Sequence, residues 1–141
     1  NLLALWSLHG VDSAIREAYE NGTVLGGVSA GSICWHQGGP TDSFGTKLQT
    51  VTNGLALLPF GNAVHYDSES QRRPKAHELI ADETFSKIYA TDDGVGILYE
   101  NEVAVEVISD RPERVESRAY LLEKVDGNVQ EIQLEIGLVR N

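Results

Sequence analysis

Thr23-Val24-Leu25-Gly26-Gly27-Val28-Ser29-Ala30-Gly31 is the stretch on which the fold turns. Residues 23–28 form a short, mostly apolar and partly β-branched run without polar alternation, which predicts a strand buried on both faces of a parallel sheet. Upstream, Asp12 in the N-cap position, apolar Ile15, Ala18 and Tyr19 on one face and Gly22 as a stop signal predict an amphipathic helix over 12–21. Downstream, 30–35 can restart a helix, with Gly38-Gly39-Pro40 ending it in a loop. Helix, buried strand and helix in succession are the layering of an α/β fold, and they place Ser29 at a strand-to-helix junction.

Working outward, 61–66 reads as another short strand, 74–81 as a helix with Pro74 in its first turn, and 87–91 as a third strand. From Gly94 the pattern changes to 95–99, then 103–108, then alternating runs over 119–125 and 129–136 around Asp126-Gly127-Asn128. This predicts an antiparallel tail ending in a hairpin. The loop from Asp110 to Ser117 is too short for an interdomain linker, so residues 1–141 are expected to form a single α/β domain. A buried parallel strand needs neighbours on both sides, and the residues before Thr23 supply none. With no methionine and an apolar run starting at Leu2, the chain is expected to be the C-terminal portion of a longer protein whose N-terminal half is missing.

The chain has 141 residues, 21 acidic and 11 basic, for a formal charge of −10. That balance repels nucleic acid and anionic membranes and argues for a soluble protein. One cysteine, Cys34, excludes an internal disulfide and leaves no thiol pair for a structural zinc site, so a reducing compartment, the cytoplasm, is expected. No apolar run approaches a membrane span, and no signal peptide is visible.

Gly27-Val28-Ser29-Ala30-Gly31 has the G-x-S-x-G pattern of a nucleophile elbow. Its sharp turn lifts the serine hydroxyl above the sheet edge and points the Ala30 amide at the oxyanion that attack on a carbonyl would create. A glycine-rich loop holding a phosphate is the bland alternative. A nucleophilic serine needs a base, and His9, His36, His65 and His77 are available. His36 is expected in the helix after the serine, pointing away, and His77 within a helix. His65 ends a predicted strand, at the sheet edge where α/β sites assemble, and is the best base. The orienting acid is either Asp42, in the loop after the serine helix, or Asp93, just past the third strand; Asp93 is preferred because it shares the sheet edge of Ser29 and His65. In an acidic protein, the cluster Gln71-Arg72-Arg73-Pro74-Lys75 at a helix start suggests an anion contact, with Arg72 as the expected substrate-binding residue; solvated surface charge is the alternative.

Gly27-Val28-Ser29-Ala30-Gly31-Ser32, Thr41-Asp42, His65-Tyr66-Asp67-Ser68 and Asp92-Asp93-Gly94 together resemble peptidase E, the aspartyl dipeptidases, serine peptidases related to cyanophycinase. The resemblance covers nearly the whole chain in order and rough spacing. It implies a three-layer α/β sandwich similar to class I glutamine amidotransferases and the removal of N-terminal aspartate from dipeptides, with no metal or cofactor. It also implies Ser29 as nucleophile, His65 as base, an acid matching Asp42 or Asp93, and an arginine at Arg72 holding the substrate aspartate. Family members begin with a flavodoxin-like half whose Gly-Gly-Asn-Thr type loop completes the oxyanion hole, and this chain does not contain it. Cys34, five residues beyond the serine, is expected to be a packing residue. Two rivals stand beside this reading. An α/β-hydrolase esterase places its histidine last, but none follows His77. A non-catalytic module would bind an anionic ligand without turnover. A small peptide is the expected partner, and the antiparallel tail suggests a homodimer.

Overall fold

The computed structural model describes residues 1–110 and 116–139, so most of the short loop expected between Asp110 and Ser117 lies outside the described residues. Two helices open the chain, α1 (Leu2–His9) and α2 (Val11–Glu20), followed by the single turn α3 (Ala30–Ile33). Then come β1 (His36–Thr41), β2 (Gln49–Val51), β3 (Leu58–Ala63), α4 (Arg72–Ala81), β4 (Lys87–Thr91), β5 (Val95–Glu100), β6 (Val103–Ser109), β7 (Ala119–Val125), β8 (Asn128–Leu134) and β9 (Gly137–Leu138). The strands form a six-stranded mixed sheet in the order β2-β1-β3-β4-β7-β8 and a small sheet, β5-β6-β9. β1, β3 and β4 run parallel, and β2 and β7 flank them antiparallel. The fold is therefore α/β.

Alternation along the strands sorts side chains between the two faces of the larger sheet. On one face, Ala63, Ile88, Ala90 and Leu122 pack with Ala76, Leu79 and Ile80 of α4, with Tyr66 and Phe85 completing the cluster. The helical spacing of 76, 79 and 80 makes that apolar stripe. On the other face, Phe60 and Tyr89 meet Tyr99 of the small sheet, with ring centroids 5.5 and 5.6 Å away. Both layers hold the parallel strand ends of β3 and β4 in place, and the site grows from those ends.

Three expectations are corrected. Residues 23–28 form no strand: the segment pairs with no neighbour, and Val24 and Val28 are 90% and 85% exposed. A continuous apolar run specifies a buried strand only if other strands reach it. Asp12 does not cap its helix but lies in the first turn, the cap position falling to Gly10, which closes α1 as well. Gly38-Gly39-Pro40 is not a loop but the middle of β1. The glycines there serve close approach: a Cβ at Gly38 would sit 1.9 Å from the Val51 carbonyl oxygen, and one at Gly39 1.9 Å from that of Asn62. The antiparallel tail is present but divided. Its hairpin β7–β8 joins the larger sheet through a turn with positive φ at Asp126 (50°) and Gly127 (80°), while β9 leaves to pair with β6. Among the described residues no helix is long and apolar enough to cross a membrane.

Candidate active site

Ser29 occupies backbone space that few non-glycine residues enter, with φ 55° and ψ −122°. Such a conformation costs about 1–3 kcal/mol and persists only where the surroundings enforce it. Here the chain turns back tightly: the Gly31 amide donates to the Val28 carbonyl at 2.9 Å, and the Ser32 amide to the Ser29 carbonyl at 2.8 Å. The turn closes so sharply that a Cβ on Gly27 would lie 1.9 Å from the Gly31 carbonyl oxygen. The Ala30 amide has no acceptor among the described residues, which leaves it available to an oxyanion. Since α3 is only one turn long rather than the expected 30–35, little helix dipole adds to that amide.

His65 follows β3 after one intervening residue, in a bend with φ 55°. Its Nε2 lies 3.0 Å from Ser29 Oγ, and its Nδ1 lies 2.6 Å from Asp93 Oδ1. An ionised carboxylate can only accept, so Nδ1 carries the proton and Nε2 presents its lone pair to the serine hydroxyl. Asp93 comes just after β4, the strand beside β3, which explains how residues 28 positions apart meet. Its backbone N–H donates to Asp67 Oδ1 at 2.9 Å, fixing the loop that carries the acid. The preceding residue, Asp92, turns inward instead. It accepts the Arg118 N–H at 2.8 Å, and burial pushes its carboxyl above the usual range.

Ser29, His65 and Asp93 line a cleft of about 760 Å³. Ile97, Leu98 and Ile108 of β5 and β6 line it as well, as do Ser32, His36 and Asn62. Contrary to expectation, His36 is neither helical nor turned away: it begins β1, is 2% exposed and packs between Phe60 and Tyr99. Its Nδ1 donates to the Ser32 carbonyl at 2.9 Å, and desolvation pushes its pKa down to about 4, so the ring is neutral.

The remaining candidates lie elsewhere. Asp42 is 68% exposed and faces Arg72, with Oδ1 3.8 Å from Nη2, rather than His65. Arg72 does not line the cleft. It is 2% exposed, bonded through Nε to Glu69 at 2.7 Å and through Nη1 to the Pro40 carbonyl at 2.6 Å. The basic cluster looked like an anion site because one-dimensional sequence shows charge at a helix start but not what buries it. Cys34 is buried, and desolvation pushes its thiol up to about 11, so it is a packing residue. His77 pairs with Glu131 at 2.7 Å, and His9 is exposed. Asp67 and His36 were not foreseen as part of the site. Asp67 stood only within the run His65-Tyr66-Asp67-Ser68 that resembles peptidase E, with no role attached to it.

Fold and site together define the class: an α/β protein that presents a serine hydroxyl to a carboxylate-oriented histidine at the ends of parallel strands. The sequence profile of peptidase family S51 matches residues 1–107, and the chain belongs to that family. The chain is also similar to an "Uncharacterized peptidase YgaJ" of Bacillus subtilis (strain 168), at 38% identity over 136 residues. That alignment takes in 96% of this chain and 57% of the relative, so the chain spans little more than half the relative's length. No solved structure matches.

Proposed function

We propose that this chain carries the reacting groups of a serine peptidase that cleaves dipeptides with an N-terminal aspartate. The observation that carries the serine-peptidase reading is the unbroken series Asp93–His65–Ser29, with contacts of 2.6 and 3.0 Å. In this scheme His65 Nε2 takes the hydroxyl proton as Ser29 Oγ attacks the peptide carbonyl. Asp93 stabilises the resulting imidazolium, and the Ala30 amide donates to the oxyanion. His65 then gives its proton to the leaving amine as the C–N bond breaks. Water, deprotonated by His65, attacks the acyl-enzyme and releases the acid product with free Ser29.

The aspartate preference is supported by the likeness to peptidase E alone, since Arg72 is committed to Pro40 and Glu69. The three-layer sandwich expected from class I glutamine amidotransferases belongs to the same proposal. Residues 23–28, unpaired here, are the segment that would enter such a sheet. A cytoplasmic setting fits the single unpaired thiol.

The test is release of free amino acid from Asp-Leu and Ala-Leu by the protein at its full natural length, with Ser29→Ala beside it. Release from Asp-Leu alone, abolished by the substitution, is expected. Equal release from both dipeptides would remove the aspartate preference and keep the peptidase. Release that survives Ser29→Ala, or none from any short peptide, would overturn the serine mechanism.

A further inference from the structure

We infer that Glu131, on the hairpin strand β8, is a positioning residue for His65, acting through Tyr66. The inference rests on the serine-peptidase reading of the site, and Glu131 lies beyond the residues matched to the family profile.

His65 holds a left-handed backbone conformation, so its ring stays aimed at Ser29 only if the flanking chain is fixed. On the C-terminal side the Glu69 amide donates to the His65 carbonyl at 3.0 Å, and the rest of that fixing falls to Tyr66. Its amide donates to the Thr91 carbonyl at 3.1 Å, two residues before Asp93, and its ring is buried in the α4 core. The ring's one polar atom, the hydroxyl, donates to Glu131 Oε2 at 2.7 Å. A hydroxyl bonded to an ionised acceptor is strongly held.

Glu131 is itself locked from α4. Arg73 Nη1 donates to Oε1 at 2.5 Å, and His77 Nε2 lies 2.7 Å from Oε2. The Arg73 guanidinium also covers the Tyr66 ring at 4.6 Å and the Tyr120 ring at 4.8 Å. One mostly buried carboxylate thus joins α4, the hairpin and the residue after the base. Burial and the neighbouring carboxylate hold the Tyr66 phenol far above its ordinary range, so it remains a donor. Loss of the Tyr66–Glu131 bond would free the His65 bend while leaving Ser29, Asp93 and the cleft wall untouched.

Tyr66→Phe removes one oxygen from a ring that stays packed, and Glu131→Gln removes the charge that holds it. In the protein at its full natural length, each is expected to lower kcat roughly ten- to a hundredfold with KM nearly unchanged, the range expected when a reacting group is misplaced. The double variant should be no worse than the more damaged single one. Lys124→Gln serves as control: it cuts a different tie between the hairpin and the end of α4, the 2.6 Å contact with Glu83, and should leave kcat unchanged. A readout independent of turnover is the far-downfield proton NMR signal of His65 Nδ1–H against Asp93. It should be present in the wild type and in Lys124→Gln, and be weakened or lost in Tyr66→Phe and Glu131→Gln. An unchanged signal in folded Tyr66→Phe overturns the positioning role, as does wild-type kcat in that variant or a fully additive double variant. If Glu131→Gln does not fold, Tyr66→Phe decides alone. Hydrolysis that survives Ser29→Ala would instead sink the peptidase reading, and the His65 signal still tests the clamp.

Discussion

Asp67 accepts the backbone N–H of Asp93 at 2.9 Å, which ties the loop bearing the base to the loop bearing its acid. The two loops leave the ends of adjacent parallel strands, β3 and β4, and this bond holds the Asp93 backbone itself, beside the 2.6 Å contact between the His65 and Asp93 side chains. Asp67→Ala should therefore let Asp93 drift from His65 and lower kcat about tenfold, since small displacements of a positioned group are costly. Asp67→Asn keeps an oxygen acceptor at the same place and should stay within about twofold of wild type. Equal rates for all three proteins in a dipeptide assay would show that Asp93 is held without this bond.

Gly27 and Gly31 flank the serine symmetrically in sequence but not in space. A Cβ at Gly27 meets the backbone of Gly31 at 1.9 Å, whereas one at Gly31 meets nothing within 4 Å. Backbone cannot rotate away as a side chain can, so Gly27→Ala should destabilise the fold by about 1–3 kcal/mol or more and displace Ser29. Gly31→Ala should be nearly neutral in both respects. Thermal unfolding and initial rates of the two variants, side by side, check this asymmetry, and similar behaviour would contradict the tight turn.

Asp42 and Asp93 were both open candidates for the orienting acid, and their surroundings separate them. Asp93 contacts His65 at 2.6 Å, while Asp42 is largely exposed and 3.8 Å from Arg72. Asp93→Asn should keep the shape but present the wrong hydrogen-bonding group to Nδ1, lowering kcat by roughly 10³–10⁴. Asp42→Ala should leave kcat within about twofold, because an exposed ion pair contributes little. Removing Arg72 is a different matter: its buried bond to the Pro40 carbonyl predicts that Arg72→Ala loses stability, about 2 kcal/mol, rather than substrate selectivity. A fall in kcat for Asp42→Ala matching that of Asp93→Asn would reverse the assignment.

What could be read in the sequence was what local pattern determines. The strand 87–91 and the hairpin strand 119–125 were legible to the residue, because alternation and turn chemistry at Asp126-Gly127 act over short range. His65 stood out because strand ends in α/β sheets converge. Residues 36–41 were misread because Gly-Gly-Pro punctuates loops in isolation, and only the neighbouring backbones of Val51 and Asn62 explain why glycine is needed within a strand. That Asp93 rather than Asp42 lies beside His65 depends on which strands are neighbours, and the setting of Arg72 on an acceptor 32 residues away, Pro40. Neither is written in spacing.

The contribution of His36 to the pH dependence of stability has a definite sign. Its pKa falls from 6.5 to about 4 on folding because desolvation disfavours the charged ring. The unfolded chain therefore binds more protons at this site between those two values, and stability contributed by the neutral ring is present above pH 6.5 and lost as pH falls toward 4. Over the whole window the loss is about 3 kcal/mol, at roughly 1.4 kcal/mol for each unit of pKa difference. His36→Phe keeps an aromatic ring against Phe60 and Tyr99 but cannot take a proton, so it should flatten this part of the profile. It gives up the bond to the Ser32 carbonyl, which lowers stability at all pH values by a constant amount. The informative quantity is thus the slope, not the midpoint. Chemical denaturation of wild type and His36→Phe at several pH values from 7 down to 4 measures it. Parallel slopes for the two proteins would mean that the folded state accommodates a charged His36, and that the ring is less thoroughly shut off from water than its packing against Phe60 and Tyr99 requires.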